Sequence, residues 1–424
     1  MVTDICRREP GNVGPSRRLS SEYNGARRPA RRKTGIVHSP ARHLSTAERD
    51  RRYAVLRDAL RDRGVDCAIV CASNLFYLTN GILGERLGLL PTELLRPTVT
   101  LHWRNLVDIP PDALSHIQRW IEDLRQGNDA SALVDRIREL RLEKGVIGLG
   151  LSNVLGQGGL AHVFYAELQA AFPSARFVDI SDIFATARAI KSDEEVGVIE
   201  QANRLFDIAI RGVCERVRPG MLGASIIHEG TRAMWEAGGD LGSTLVASCG
   251  PIAIRQHVVQ ELSLERAIQP GDVATLTGLA RYGGYVGHSD QQIRFGRPTA
   301  LQDEMIDAVR FLSDAILAHV RRGAKHSDLG AAYRDAVVET GFRATGATDI
   351  HPYGIDAPER PTQEGAPWND RSDYELQSGM VYSISPAVMA PNDDVVIGGT
   401  SIVVTGNGYR TLGDRKIELL SIEG

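Results

Sequence analysis

The feature that most constrains this chain begins at Ser192. Val196, Ile199, Ala202, Leu205, Phe206, Ala209, Ile210 and Val213 fall on one stripe at helical spacing. Asp193, Glu194 and Glu195 fill the first turn, where the helix dipole favours acidic side chains, and Pro219-Gly220 stops the run. A helix this long with one apolar stripe must be covered by a sheet or by other helices. It divides the chain into a part that precedes it and a part built around it.

The preceding part alternates. Ser45 and Glu48 are spaced as a capping box before the helical pattern Tyr53, Leu56, Leu60. Cys67-Ala-Ile-Val-Cys-Ala reads as a buried strand, and 74–81 as a loop with a short helix. Pro97–Trp103 reads as a second strand, 117–124 as a helix, Val146–Gly150 as a third strand, 164–172 as a helix and 177–180 as a closing strand. Such alternation over 47–185 indicates an α/β domain. After it, helices are expected around Ile226, Ile227, Met234 and Trp235 (the last two as core), over 302–321 and over 327–340. Strands are expected at 244–247, 273–277, 381–384, 399–405 and 418–422. Residues 186–424 are therefore read as an α+β domain.

Residues 1–46 stand apart. They carry a charge of +7, which leaves about −11 on the remainder of a chain whose formal net charge is −4. Four Arg-Arg pairs occur there with neither periodicity nor an apolar face, so the segment is read as a disordered basic leader, or the product of a start site set upstream of the folded chain. At 424 residues, 42% hydrophobic and 24% charged, the chain is globular in composition and long enough for two or three domains. Its charge balance gives no reason to expect nucleic acid as a partner. No run of 18 apolar residues is present to span a membrane, and no apolar stretch follows the N-terminus, so the cytoplasm is the expected compartment. Five scattered cysteines read as reduced, buried thiols rather than a zinc knuckle, and Ser248-Cys249, without an elbow motif around it, as structural.

A series of motifs then gives the chain a family likeness. Arg188-Ala-Ile-Lys-Ser-Asp-Glu-Glu precedes the long helix. Gly271-Asp272, Gly284-Tyr285, Ser378-Gly-Met-Val-Tyr-Ser-Ile-Ser-Pro and Val403-Val-Thr-Gly-Asn-Gly follow in order, and Gly64-Val-Asp-Cys-Ala-Ile-Val and Phe76-Tyr-Leu-Thr lie upstream. Over about 47–415 this resembles the superfamily of creatinase, prolidase and aminopeptidase P. The resemblance implies a creatinase-like α/β N-terminal domain followed by an α+β domain of pita-bread fold. It also implies a homodimer in which Asn74, Phe76 and Tyr77 border the partner's cavity. Metallopeptidases of the superfamily hold two divalent metals with two Asp, one His and two Glu, an oxygen-rich set suited to hard cations. The matching positions here read Thr277, His288, His351, Ser385 and Gly399.

Creatinase, which hydrolyses a C–N bond with a histidine acid/base and no metal, compares better. His257 falls where its proton-transferring histidine lies, Asp290 where a substrate-binding Glu lies, and His351-Pro-Tyr-Gly resembles its His-Tyr-Tyr-Gly. A histidine begins near pKa 6.5, which suits proton transfer at neutral pH. His257 and His351 are thus the expected catalytic residues. His288, Asp290, Glu359, Arg360, Phe76 and Tyr77 are the expected contacts to a small-molecule substrate, without cofactor. The ordinary alternatives are an Asp290–Arg294 salt bridge and a solvated loop around Glu359. Three functions follow: a metal-independent C–N hydrolase or lyase; a hydrolase with a mononuclear metal on His288, His351 and either Asp290 or His257; or a non-catalytic binding protein.

Overall fold

The computed structural model describes residues 43–81, 85–93, 96–101, 119–127, 130–151, 160–251, 264–346, 348–364 and 372–423. The basic leader up to residue 42 and His257 lie outside the described residues.

The N-terminal half runs α1 (Thr46–Asp62), β1 (Cys67–Val70), α2 (Ala72–Thr79), β2 (Glu85–Pro91), β3 (Thr98–Leu101), β4 (Asp123–Gln126), α3 (Ser131–Glu139), β5 (Val146–Gly150), α4 (His162–Ala171), β6 (Arg176–Asp179) and α5 (Ser181–Ala189). Its six strands are ordered β4-β3-β2-β1-β5-β6. Strand β1 is parallel to β5 and antiparallel to β2. It is buried on both faces, which explains its unbroken apolar run. Cys67 and Ile69 pack with Leu133 and Ile137 of α3, Leu168 of α4 and Phe172 just beyond it. Ala68 and Val70 face Leu56 and Leu60 of α1 and Phe184 of α5.

Two elements depart from the sequence reading. Strand β2 lies in a leucine-rich stretch without the β-branched residues that mark strands, and only its pairing between β1 and β3 makes it one. The helix expected over 117–124 is instead, where described, a turn leading into β4. Trp120 and Ile121 are buried, β4 pairs parallel with β3, and the Thr98 hydroxyl donates to Asp123 at 2.6 Å. The apolar spacing there serves a sheet edge, so tertiary pairing overrides the helical period.

Beyond it come α6 (Asp193–Arg216), α7 (Ala224–Glu236), β7 (Thr244–Gly250), β8 (Val273–Tyr282), β9 (Tyr285–Gly287), β10 (Asp290–Phe295), α8 (Ala300–Leu317) and α9 (His326–Glu339). Then follow β11 (Arg343–Ala344), β12 (Asp349–Pro352), β13 (Val381–Ser385), β14 (Ala387–Met389), β15 (Val395–Ile397), β16 (Thr400–Val404), β17 (Tyr409–Thr411) and β18 (Leu419–Ile422). One sheet is ordered β18-β10-β8-β7 with β9 on β8, a second β12-β13-β16-β17, and a third β11-β14-β15. The expected stripe of α6, from Leu205 to Val213, packs with α7 on the first sheet. A Cβ on Gly287 would meet the Ala202 backbone at 2.3 Å, so this close approach of β9 to α6 requires glycine. Helices α8 and α9 cover β13 and β16 through Val309, Leu312, Leu329 and Tyr333. Met234 is fully buried as expected, but Trp235 is 50% exposed, because the next position on α7 turns away from the core.

A buried ion network ties α1 to α6. Arg52, 0% exposed, donates to Glu48 at 2.8 Å, to the Tyr77 carbonyl at 2.8 Å and to the Tyr285 hydroxyl at 2.6 Å. It also pairs with Glu195 at 3.0 Å. Ser192 and Glu195 form a reciprocal capping box on α6. At α1 only half of the expected box forms. The Ser45 hydroxyl accepts from the Glu48 amide, but the Glu48 carboxylate goes to Arg51 and Arg52. Glu194 of α6 takes its place, accepting from the Ser45 amide at 2.8 Å and hydroxyl at 2.6 Å.

Candidate active site

Two sheets meet at the site. The first contributes Thr277 on β8, then His288, Ser289 and Asp290 around the start of β10. The second contributes Asp349 and His351 on β12, Ser383 and Ser385 on β13, and Ser401 on β16. Residues two apart on a strand share a face, so Asp349 and His351 project together. They pair with Ser385 and Ser383, and the Ser401 hydroxyl donates to the His288 carbonyl at 2.8 Å, binding the sheets to each other.

The centre is a pair of histidines. His288 and His351 bring their Nε2 atoms to 3.1 Å, with ring centroids 4.8 Å apart. Asp349 Oδ2 lies 3.1 Å from the His351 Nε2 and 3.8 Å from the His288 Nε2. The far nitrogens are anchored to backbone carbonyls: His288 Nδ1 lies 2.9 Å from the Gly278 oxygen and His351 Nδ1 3.0 Å from the Pro352 oxygen. A carbonyl can only accept, so each Nδ1 carries the hydrogen. A ring so anchored presents its Nε2 inward, as a lone pair when the ring is neutral. Two nitrogen lone pairs and a carboxylate oxygen converge, and a shared proton or a cation relieves their repulsion. Among the described residues, these three form the group of His, Cys, Asp or Glu side chains able to hold a metal ion. Side-chain exposures of 6% for His288, 17% for His351 and 21% for Asp349 leave the cluster reachable from one side.

The surroundings are small and hydroxylic. Thr277 donates to Asp290 Oδ1 at 2.6 Å, across the register that pairs the two residues. The Ser383 and Ser385 hydroxyls stand 3.4 Å apart. A Cβ on Gly399 would meet Ser385 Oγ at 2.0 Å and Ser289 Oγ at 3.0 Å, so this position has no room for a side chain. Tyr353, its hydroxyl pushed up to about 12 by burial, packs edge-on to His288 and accepts from Asn203. Beside His351, His326 stacks on Tyr374, and Tyr382 donates to the Tyr374 hydroxyl. Burial lowers the His326 pKa, the charges of Arg360 and His351 lower it further, and Asp373 opposes them. Behind β10, a cavity of about 680 Å³ opens between α6 and the 410–420 segment. Its wall residue Arg415 donates to the Asp290 carbonyl and to Gln291, each at 3.1 Å.

The structure thus gathers His288, Asp290 and His351, and half-buried Arg360 is near enough for its charge to act on His326. It places the other expected contacts elsewhere. Glu359 is neither a substrate contact nor a solvated loop residue. It is 5% exposed, accepts from Arg188 and from the Ile355 amide, and pairs with Lys191 at 3.3 Å. Tyr77 is 0% exposed beneath the Arg52 guanidinium, 4.2 Å from its ring centroid. Asn74 is held by Arg188 and by the Gly150 and Leu151 carbonyls. Tyr77 and Asn74 are therefore core groups of their own chain, not residues facing a partner's cavity. The Phe76 ring lies over Gly284 and edge-on to Tyr285. Asp290 pairs with Thr277, while Arg294 donates to the Arg297 carbonyl. Cys67, Cys71 and Cys249 are buried, and burial pushes their thiols up to about 12, 11 and 12, as reduced structural cysteines should be. The residue that sequence reasoning missed is Asp349. Its position two residues before His351 became a signal only once Asp349–Pro352 proved to be a strand.

Comparison with known proteins gives two family matches. Residues 52–190 match the creatinase/prolidase N-terminal domain, and residues 197–409 match metallopeptidase family M24. An uncharacterized peptidase of Bacillus subtilis is 27% identical over 267 residues, which is 62% of this chain and 73% of the relative. An Xaa-Pro dipeptidase of Pyrococcus horikoshii is 24% identical over 283 residues, covering 65% and 76%. A creatinase of a Bacillus species is 23% identical over 263 residues, covering 58% and 62%. Among solved structures, the Xaa-Pro dipeptidase of Bacillus anthracis superposes with a TM-score of 0.70 at 20% identity, covering 88% of this chain and 99% of that one. The X-Pro aminopeptidase of Thermotoga maritima gives 0.69 at 16% identity, covering 86% and 100%.

Proposed function

Since the chain belongs to metallopeptidase family M24, with a creatinase-type N-terminal domain before a pita-bread domain, and is on that footing a hydrolase of carbon–nitrogen bonds, we propose that it cleaves such a bond in a small polar, peptide-like molecule at the His288–Asp349–His351 cluster. The observation that carries this reading is the 3.1 Å approach of two inward-facing imidazole nitrogens beside a carboxylate, in a site open on one side. There the attacking water is held and gives up its proton. Arg360 is the cation proposed to meet an acidic group of the substrate.

The two-metal set of the family does not fit these residues. Thr277 donates its hydroxyl to Asp290, Ser385 offers no carboxylate, and Gly399 has no space for one. Nothing in the reaction is therefore routed through a dinuclear centre. His257, aligned with the proton-transferring histidine of creatinase, is the residue proposed to protonate the departing nitrogen. A homodimer remains part of the proposal, and sedimentation of the full chain checks it.

The test is a substrate panel. Xaa-Pro dipeptides lead it, since relatives bear the name Xaa-Pro dipeptidase, and creatine-like amidino acids follow. Release of the amine should be lost in His351→Ala. A wild-type protein inert towards every member, yet binding several of them, would support the non-catalytic reading instead.

A further inference from the structure

We infer that His288, Asp349 and His351 form a mononuclear site for one divalent metal of borderline softness, such as zinc or cobalt(II). The inference rests on the hydrolase reading for its purpose, but its geometry stands alone. A tetrahedral zinc ion with bonds of about 2.0–2.1 Å holds its ligand atoms about 3.3 Å from one another. The Nε2–Nε2, Nε2–Oδ2 and Nε2–Oδ2 separations here are 3.1, 3.1 and 3.8 Å, the edges of one such face.

The outer hydrogen bonds fit the same purpose. A metal-bound histidine commonly donates its other ring nitrogen to a backbone carbonyl or carboxylate, which fixes the tautomer and aims the lone pair. Both histidines do this, towards Gly278 and Pro352. Two nitrogens and one oxygen suit zinc, cobalt or iron(II) better than magnesium or calcium. Three protein ligands with partial exposure leave one position open, the mark of a catalytic rather than a structural site. A metal in that position lowers the pKa of bound water. The ligand set differs from the oxygen-rich dinuclear one, since a histidine, His288, stands at a position the resemblance gives to an aspartate, and Asp349 is a ligand the resemblance does not supply.

The test uses the full chain, stripped with a chelator and titrated with cobalt(II) alone and with zinc(II) alone. Calorimetry should give one equivalent per chain. Cobalt should develop the visible bands of a four- or five-coordinate site, and each metal should raise Tm. Asp349→Asn and His351→Ala should weaken binding at least ~100-fold, and His288→Gln offers a second variant where alanine fails to fold. His326→Ala, outside the proposed ligand set, should change binding less than threefold. Binding of two equivalents, absence of saturable binding, or binding indifferent to all three ligand variants would overturn the site. Metal binding without turnover on any panel substrate would uphold the site and defeat the hydrolase reading. Undiminished turnover in metal-free protein would do the reverse.

Discussion

The chain buries polar groups in two places and treats them differently. Around Arg52 and Arg188, donors and acceptors are matched. Arg52 is met by Glu48, Glu195, Tyr285 and the Tyr77 carbonyl, and Arg188 by Glu359, Asp356 and Asn74. Around His288 and His351 two imidazole nitrogens and a carboxylate oxygen converge, His351 Nε2 lying 3.1 Å from both His288 Nε2 and Asp349 Oδ2. Burial of charge is tolerated where it is fully compensated. The first region holds the halves of the molecule together. The second is where the proposed chemistry is placed.

Breaking the first region should cost the most stability. Arg52→Met removes the cation that Glu48 and Glu195 share and leaves both carboxylates buried, so the fold should lose about 3–5 kcal/mol in denaturant unfolding. A loss below about 1 kcal/mol would mean that the network is decorative. Glu359→Gln keeps the shape but takes a carboxylate from Arg188 and Lys191, and should cost about 2 kcal/mol. Turnover lost at unchanged Tm would return Glu359 to the substrate site.

Acid should act on the same region. Burial alone would push the Glu48 carboxyl up, but the hydrogen bonds and charges of Arg51 and Arg52 outweigh it and hold the pKa at about 2. A carboxyl lowered from 4.5 contributes stability that is complete above 4.5 and is lost as pH falls from there towards about 2. In Glu48→Gln, Tm at neutral pH should drop and its fall across that window should flatten. An unchanged acid limb would place the titrating group elsewhere. The smallest effect belongs to Ser45→Ala, which removes one cap and its link to Glu194 and should cost about 1 kcal/mol.

Most of the scaffold was legible in the sequence because its signals are local. The stripe of α6, the apolar run of β1 and the motifs around Gly284 and Ser378 each report their own element. What was illegible depends on partners far along the chain. Strand β2 and the edge strand β4 exist by pairing, and Glu359 looked like a loop residue until Arg188 and Lys191 closed on it. At the site, His288 and His351 were visible through their spacing to Gly284-Tyr285 and Pro352-Tyr353. Asp349 was not, since nothing in a single carboxylate on a strand tells which sheet will face it.

The measurement that bears most directly on the contrast is the turnover of His351→Ala beside its Tm, on whichever panel substrate the wild type consumes. The expected result is a fall in kcat/KM of ~100-fold or more, with Tm within a few degrees of wild type, since the ring takes no part in the ion networks that hold the fold. Turnover within a few-fold of wild type would remove the histidine cluster from the reaction.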